Sequence, residues 1–205
     1  MGPVLGDQAG SARLYRLVSR FYDALRPVFA GFESTREAYL SHLDLEPTDR
    51  VLDVGCGTGE STRALLGGER SVHGIDLTGD QIRITRQKED LDAAAFVVGD
   101  AMSLPYREDT FDVVASIGSI QHLPDVENAL AEAHRVTVDG GRLFVVGPKR
   151  PDNRVGGAIA DAMMHFLEDS ELQENATEAG WTDIDTHLVH MAYLAREALV
   201  LTATA

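Results

Sequence analysis

The segment Val51-Leu-Asp-Val-Gly-Cys-Gly-Thr-Gly59 constrains this chain more than any other. An apolar run that breaks into alternating glycines and then resumes with helical spacing is a strand–turn–helix unit, and a ligand can approach its turn without meeting a Cβ. The rest of the chain repeats the alternation of short β-branched runs with amphipathic stretches, as expected of a parallel sheet covered by helices. Strands are predicted over 50–54, 72–76, 95–98, 112–117 and 142–146, with a turn at Asp139-Gly-Gly141. Helices are predicted over 11–30, 33–43, 60–66, 80–88, 125–136, 155–167 and 170–179, the last closed by Gly180. Two final strands, 182–190 and 197–204, are joined by a connection short enough to imply antiparallel pairing. One doubly wound α/β domain spans 1–205: N-terminal helices over 1–45 act as a lid on an α/β core over 46–205, with an acceptor-covering insertion over 148–168.

Composition narrows the function. Hydrophobic residues make up 44 % of the chain and charged residues 25 %, enough for a packed core. The 33 acidic residues against 18 basic ones leave a net charge of −15, a field that repels phosphate backbones and anionic membrane surfaces. The expected partner is therefore a small molecule, with no nucleic acid and no stable membrane insertion. No apolar run reaches the ~20 residues a bilayer requires, and the N-terminus lacks a signal-peptide pattern, so a cytoplasmic protein is expected. Cys56 is the only cysteine, which excludes an intrachain disulfide. Lys88 and Lys149 are the only lysines, and the acidic, lysine-poor composition fits a salt-adapted host or a GC-rich genome equally.

The glycine spacing departs from the dinucleotide fingerprint Gly-x-Gly-x-x-Gly. Counted from Gly55, the third glycine would fall at Glu60, whose charge would repel a pyrophosphate. The loop thus favours a nucleoside ligand without phosphates over a nicotinamide dinucleotide. Asp76 closes the second strand about 20 positions after Gly55, where a carboxylate can accept from both ribose hydroxyls. Asp100 closes the third strand, and Ala101 and Met102 follow it as an apolar edge suited to adenine. Each strand-end acid alone could be a cap or turn former. Asp53, Asp76 and Asp100 in successive units of one sheet form a more specific pattern.

Together with Gly74-Ile-Asp76, Gly99-Asp-Ala-Met-Ser-Leu-Pro105, Phe111-Asp-Val-Val114 and Gln121-His-Leu-Pro-Asp125, the glycine segment resembles the class I S-adenosylmethionine-dependent methyltransferases. Within them it is most similar to the small-molecule group that includes the ubiquinone/menaquinone C-methyltransferases. The resemblance implies a Rossmann-like, mostly parallel seven-stranded sheet with an antiparallel last strand. It also implies S-adenosylmethionine as cofactor, with S-adenosylhomocysteine as product, held over Gly55, Cys56, Gly57 and Gly59. By the same resemblance Asp76, with Leu77, holds the ribose, and Asp100, Ala101 and Met102 meet the adenine. Ser116, Ile117 and Gln121 lie near the methionine end, Asp53 is a further cofactor contact, and Tyr22 of Tyr22-Asp23 matches a pair in the quinone enzymes.

The implied activity is an in-line displacement at a sulfonium carbon, for which the protein mainly supplies alignment and exclusion of water. His122 is the candidate base for a protonated acceptor. It has a plainer reading, in which Gln121-His-Leu-Pro-Asp125 shapes a loop and Asp125 caps the next helix. Tyr15, Met163, Met164 and Phe166 are candidate substrate contacts, or core residues of their helices. Lys149 and Arg150 could attract an anionic acceptor or be solvated charges. Ser116-Ile-Gly-Ser119 lacks the Pro-Pro-aromatic run of enzymes that methylate base amines. The histidines show no metal-ligand spacing, so no metal is expected. A non-catalytic cofactor-binding module and, further off, a nicotinamide oxidoreductase are the alternatives.

Overall fold

A computed structural model describes residues 38–149, 168–190 and 197–205. Its seven strands are β1 (Arg50–Val54), β2 (Ser71–Asp76), β3 (Ala95–Val98), β4 (Phe111–Ile117), β5 (Thr137–Pro148), β6 (Thr182–His190) and β7 (Glu197–Thr204). They form one sheet in the order β3-β2-β1-β4-β5-β7-β6. β1 to β5 run parallel, whereas β7 pairs antiparallel with both β5 and β6. The order reverses between β1 and β4, and the crevice at their carboxyl ends is where open α/β sheets bind ligands.

The central strands are apolar without interruption because both faces are covered. Leu52 and Val54, Val114, Leu143 and Val145, and Leu199 and Leu201 point to one face. Their alternates Val51, Val113, Ala115, Phe144, Val146 and Val200 point to the other. The first face is covered by α3 (Val126–Val136) and α4 (Asp169–Glu178). Val126, Ala129, Leu130, Ala133 and Val136 recur at helical spacing on the buried side of α3. Asp125 starts that helix by accepting from the Asn128 N–H at 3.0 Å, as the capping alternative requires. α4 ends in a Schellman motif: Trp181 N donates to Ala176 O at 3.0 Å, Gly180 N donates to Thr177 O at 3.1 Å, and Gly180 has φ +98°. The Trp181 indole then donates to Leu130 O at 3.0 Å and fastens α4 to α3.

The remaining described helices are short: α1 (Glu60–Leu65) and α2 (Gly79–Thr85) follow β1 and β2. Three sequence expectations need correction. The helix expected over 33–43 ends at residue 40 in its described part, followed by a turn. The helix expected over 80–88 stops at Thr85, and Glu89–Leu91 forms a separate 3-10 turn. Asp139-Gly-Gly141 lies inside β5 rather than before it: Thr137 pairs with Phe111 and Arg142 with Val113, so the intervening residues bulge from the ladder. The helices expected over 11–30 and 155–167 lie outside the described residues, as does most of the expected lid and covering insertion.

Candidate functional site

The turn after β1 is built as glycine requires. Gly55, Gly57 and Gly59 have φ of +75°, +52° and +87°, values that L side chains adopt only with strain. A Cβ on Gly55 would lie 2.3 Å from that of Ser119, and one on Gly59 would lie 2.4 Å from a Leu91 methyl. Gly57 differs: a Cβ there would meet nothing within 4 Å. The outer glycines are therefore closed against protein, while the middle one faces open space at the crevice.

The loop is tied from beneath. Gly55 and Cys56 donate to Ile75 O at 2.8 and 3.1 Å, prolonging the β1–β2 ladder. Thr85 Oγ1 lies 2.8 Å from Gly57 O. Lys88 Nζ donates to Thr58 O at 2.7 Å and reaches Glu60 at 3.3 Å. Ser119 Oγ donates to Val54 O at 2.7 Å and, its proton thus committed, accepts from Ser116 Oγ at 2.7 Å. Ser119, Thr85 and Lys88 had no assigned role in the sequence. Ser119 sits where a side chain must nest against a bare Gly55, and Lys88 as one of two lysines was the only available signal.

Of the strand-end carboxylates Asp53 is buried, while Asp76 and Asp100 are part-buried. Asp76 accepts from Gly57 N at 3.0 Å with Oδ2 and from Thr78 N at 2.8 Å with Oδ1. Burial raises its pKa, against the pull of those two amides. Asp53 is wholly buried; its Oδ2 accepts from Ser61 Oγ at 2.7 Å and Thr62 Oγ1 at 2.6 Å, and its Oδ1 has no hydrogen-bond partner. Burial lifts Asp53 to about 6, with the Thr62 and Ser61 hydroxyls opposing and the Asp76 charge adding. Asp100 Oδ1 accepts from Met102 N at 3.0 Å, the turn-forming role. Burial also pushes the Cys56 thiol far up, so it stays protonated.

Glu60 is corrected by its surroundings. Its carboxylate is engaged by Arg63 at 2.6 Å and Lys88 at 3.3 Å, so it presents little free charge to a ligand. Leu77 is 45 % exposed beside Asp76, an open apolar surface at the end of β2.

At the end of β4 the chain enters a 3-10 turn, Ile120–His122. Gln121 is 8 % exposed; its Nε2 donates to Gly118 O at 2.8 Å and lies 3.2 Å from His122 Nε2. An amide nitrogen only donates, so His122 Nε2 accepts and the imidazole proton sits on Nδ1. Burial lowers His122 to about 4, leaving it neutral near pH 7 and a poor proton acceptor. Ser116 and Ile117 are buried at the strand end beside this turn. Lys149 pairs with Glu197 at 2.9 Å, which offsets the cation expected to attract an acceptor. Tyr15, Tyr22, Met163, Met164, Phe166 and Arg150 lie outside the described residues.

S-adenosylmethionine fits what is present: an open glycine, an acid at the end of β2, and the negative charge of the wholly buried Asp53 beneath the loop.

Residues 52–145 match the family model described as a methyltransferase domain. By this match and by its fold the chain is similar to the class I S-adenosylmethionine-dependent methyltransferases. It is similar to the quinone C-methyltransferases. A 2-methyl-6-phytyl-1,4-hydroquinone methyltransferase of Oryza sativa is 34 % identical over 83 % of this chain and 50 % of its own length. The demethylmenaquinone methyltransferase of Bacillus mycoides is 30 % identical over 67 % of this chain and 62 % of its own. The chain thus spans about half the length of the plant relatives it matches. Among solved structures, a chain from the complex of the Haloferax volcanii Trm112 methyltransferase activator with a methyltransferase shares the fold. Its TM-score is 0.79 at 20 % identity, covering 93 % of this chain and 95 % of that one.

Proposed function

We propose that this chain methylates a small aromatic acceptor of hydroquinone type, using S-adenosylmethionine. The observation that carries the reading is the crevice between β1 and β4, where Gly57 is open, Asp76 closes β2 and the two acids Asp53 and Asp76 leave a negative field. Bound cofactor supplies an electrophilic methyl on a sulfonium whose leaving group is neutral. The chain does the rest: Gly57 admits the ligand, Asp76 offers its remaining lone pairs to a diol, and the wholly buried Asp53 adds negative charge beneath the loop. Restraint of the loop by Thr85, Lys88 and Ser119 keeps that arrangement from relaxing before the acceptor arrives. Neutral His122 serves better as an orienting partner of Gln121 than as a base. The relatives named above support an aromatic acceptor and a carbon target. The net charge of −15 supports a small molecule over nucleic acid, and no helix among the described residues is long and apolar enough to cross a membrane. These features, with the lone buried Cys56, support a reaction in the cytoplasm.

Methyl-labelled S-adenosylmethionine incubated with the protein and methylhydroquinone tests the reading. Label in a ring-methylated, organic-soluble product is expected. Cofactor binding without transfer to this acceptor or to extract of the protein's own host would favour the non-catalytic module.

A further inference from the structure

Residues 99–110 join β3 to β4 without a helix or strand. The segment leaves the sheet beside the crevice, where Gly99 N donates to the carbonyl of Asp76 at 3.0 Å. It then turns tightly: Asp100 accepts from Met102 N at 3.0 Å with Oδ1 and from Ser103 N at 3.2 Å with its carbonyl. Ala101 and Met102, expected at the cofactor's base, sit on this turn. A segment without ladder bonds must find partners for its backbone elsewhere, and one polar stripe of α3 supplies them. Asn128 Nδ2 donates to Met102 O at 3.2 Å. Glu132, one helical turn on, accepts from Leu104 N at 2.8 Å. Arg135 donates to Leu104 O at 3.1 Å and to Tyr106 O at 2.9 Å. Arg135 also sets its fork on the Glu132 carboxylate at 2.7 and 2.8 Å. Leu104 is thus gripped at both its amide and its carbonyl by two side chains that grip each other.

We propose that Glu132 and Arg135 are positioning residues for the base of the cofactor, fixing the Asp100–Ser103 turn in its ligand-ready shape. They act through the backbone of residues 102–106 rather than by contact with the ligand. This rests on the proposed use of S-adenosylmethionine and deepens it, by assigning a role to two residues on the far side of the base-binding turn. A turn held in advance spares the ligand the cost of ordering it. It also fixes where the turn's polar groups stand, and a site of that kind tells one base edge from another. Without the pair the turn keeps its local bonds but loses its anchor to α3, so selectivity for the base falls before the fold does.

The test is calorimetric titration with S-adenosylhomocysteine and with S-inosylhomocysteine, which carries a carbonyl in place of the base amine. The intact protein should prefer the adenine compound at least ~10-fold. Glu132→Ala and Arg135→Met should each bind S-adenosylhomocysteine about 10-fold more weakly. Their affinity for S-inosylhomocysteine should change far less, so the preference narrows. General damage to the fold would instead weaken both ligands in parallel. Should neither variant fold, Asn128→Ala decides in the same terms: it changes an exposed residue, removes only the side-chain bond to Met102 O, and should narrow the preference about 2-fold. Equal binding of the two ligands by the intact protein overturns the proposal. So does a folded variant that keeps the full preference or loses both ligands in parallel. The cofactor reading fails by a separate sign, an intact protein that does not bind S-adenosylhomocysteine, so the two failures are distinguishable.

Discussion

The carboxyl ends of β1 and β2 and those of β4 and β5 are built on opposite plans. On the first side the acceptors are largely met by the chain itself: Asp76 holds two backbone amides, and Asp53 holds two hydroxyls with one oxygen to spare. On the second side an amide donates twice to its own turn and leaves its oxygen buried without a partner. The first side is a rigid seat whose shape is a backbone property. The second is a set of side-chain atoms whose meaning depends on what lies against them.

The sharpest way to break this contrast is within the glycine loop. Gly55→Ala combines left-handed strain with a clash against Ser119 and should cost about 3 kcal/mol or more, read from urea unfolding. Gly57→Ala meets no protein atom, so its stability cost should be only about 1–2 kcal/mol. Its affinity for S-adenosylhomocysteine should nevertheless fall at least ~10-fold, because the methyl enters the space reserved for ligand. If Gly57→Ala bound the ligand normally, the open side of the loop would not be the seat.

The two sides also lean oppositely with pH. Asp53 is lifted from 3.8 to about 6, so between those values the folded chain holds the proton and stability rises as pH falls. His122 is lowered from 6.5 to about 4, so over that window the folded chain holds fewer protons and stability falls as pH falls. Each term is on the order of 3 kcal/mol and they largely cancel. Asp53→Asn should therefore unfold more easily as pH falls from 6.5 to 4, whereas His122→Gln should gain stability from 6 to 4. Parallel slopes in the two variants would show that burial does not set both groups. Smallest of all, Lys149→Gln removes a part-exposed ion pair with Glu197 and should change stability by less than about 1 kcal/mol. S-adenosylhomocysteine affinity should stay unchanged in that variant by calorimetry.

Legibility in the sequence follows the same division. The strands, their order along the chain, the cap at Asp125 and the close at Gly180 could be read because periodicity and positive φ leave marks in residue type. So could the left-handed turn of Gly55 to Gly59 and the strand end at Asp76. The bulge through Asp139 to Gly141 could not, since the same glycines serve a turn and a bulge. The pairing of Glu60 with Lys88 was hidden because it joins positions distant in the chain. Ser119 and the locked amide of Gln121 escaped for a related reason: their roles come from neighbours brought together only by the fold.

The most direct measurement is calorimetric titration of the protein and of Asp76→Asn with S-adenosylhomocysteine and with NAD. The seat described here predicts micromolar binding of S-adenosylhomocysteine, weakened about 10-fold or more by the lost charge, and no heat from NAD. Binding of NAD, or S-adenosylhomocysteine affinity indifferent to Asp76→Asn, would contradict it.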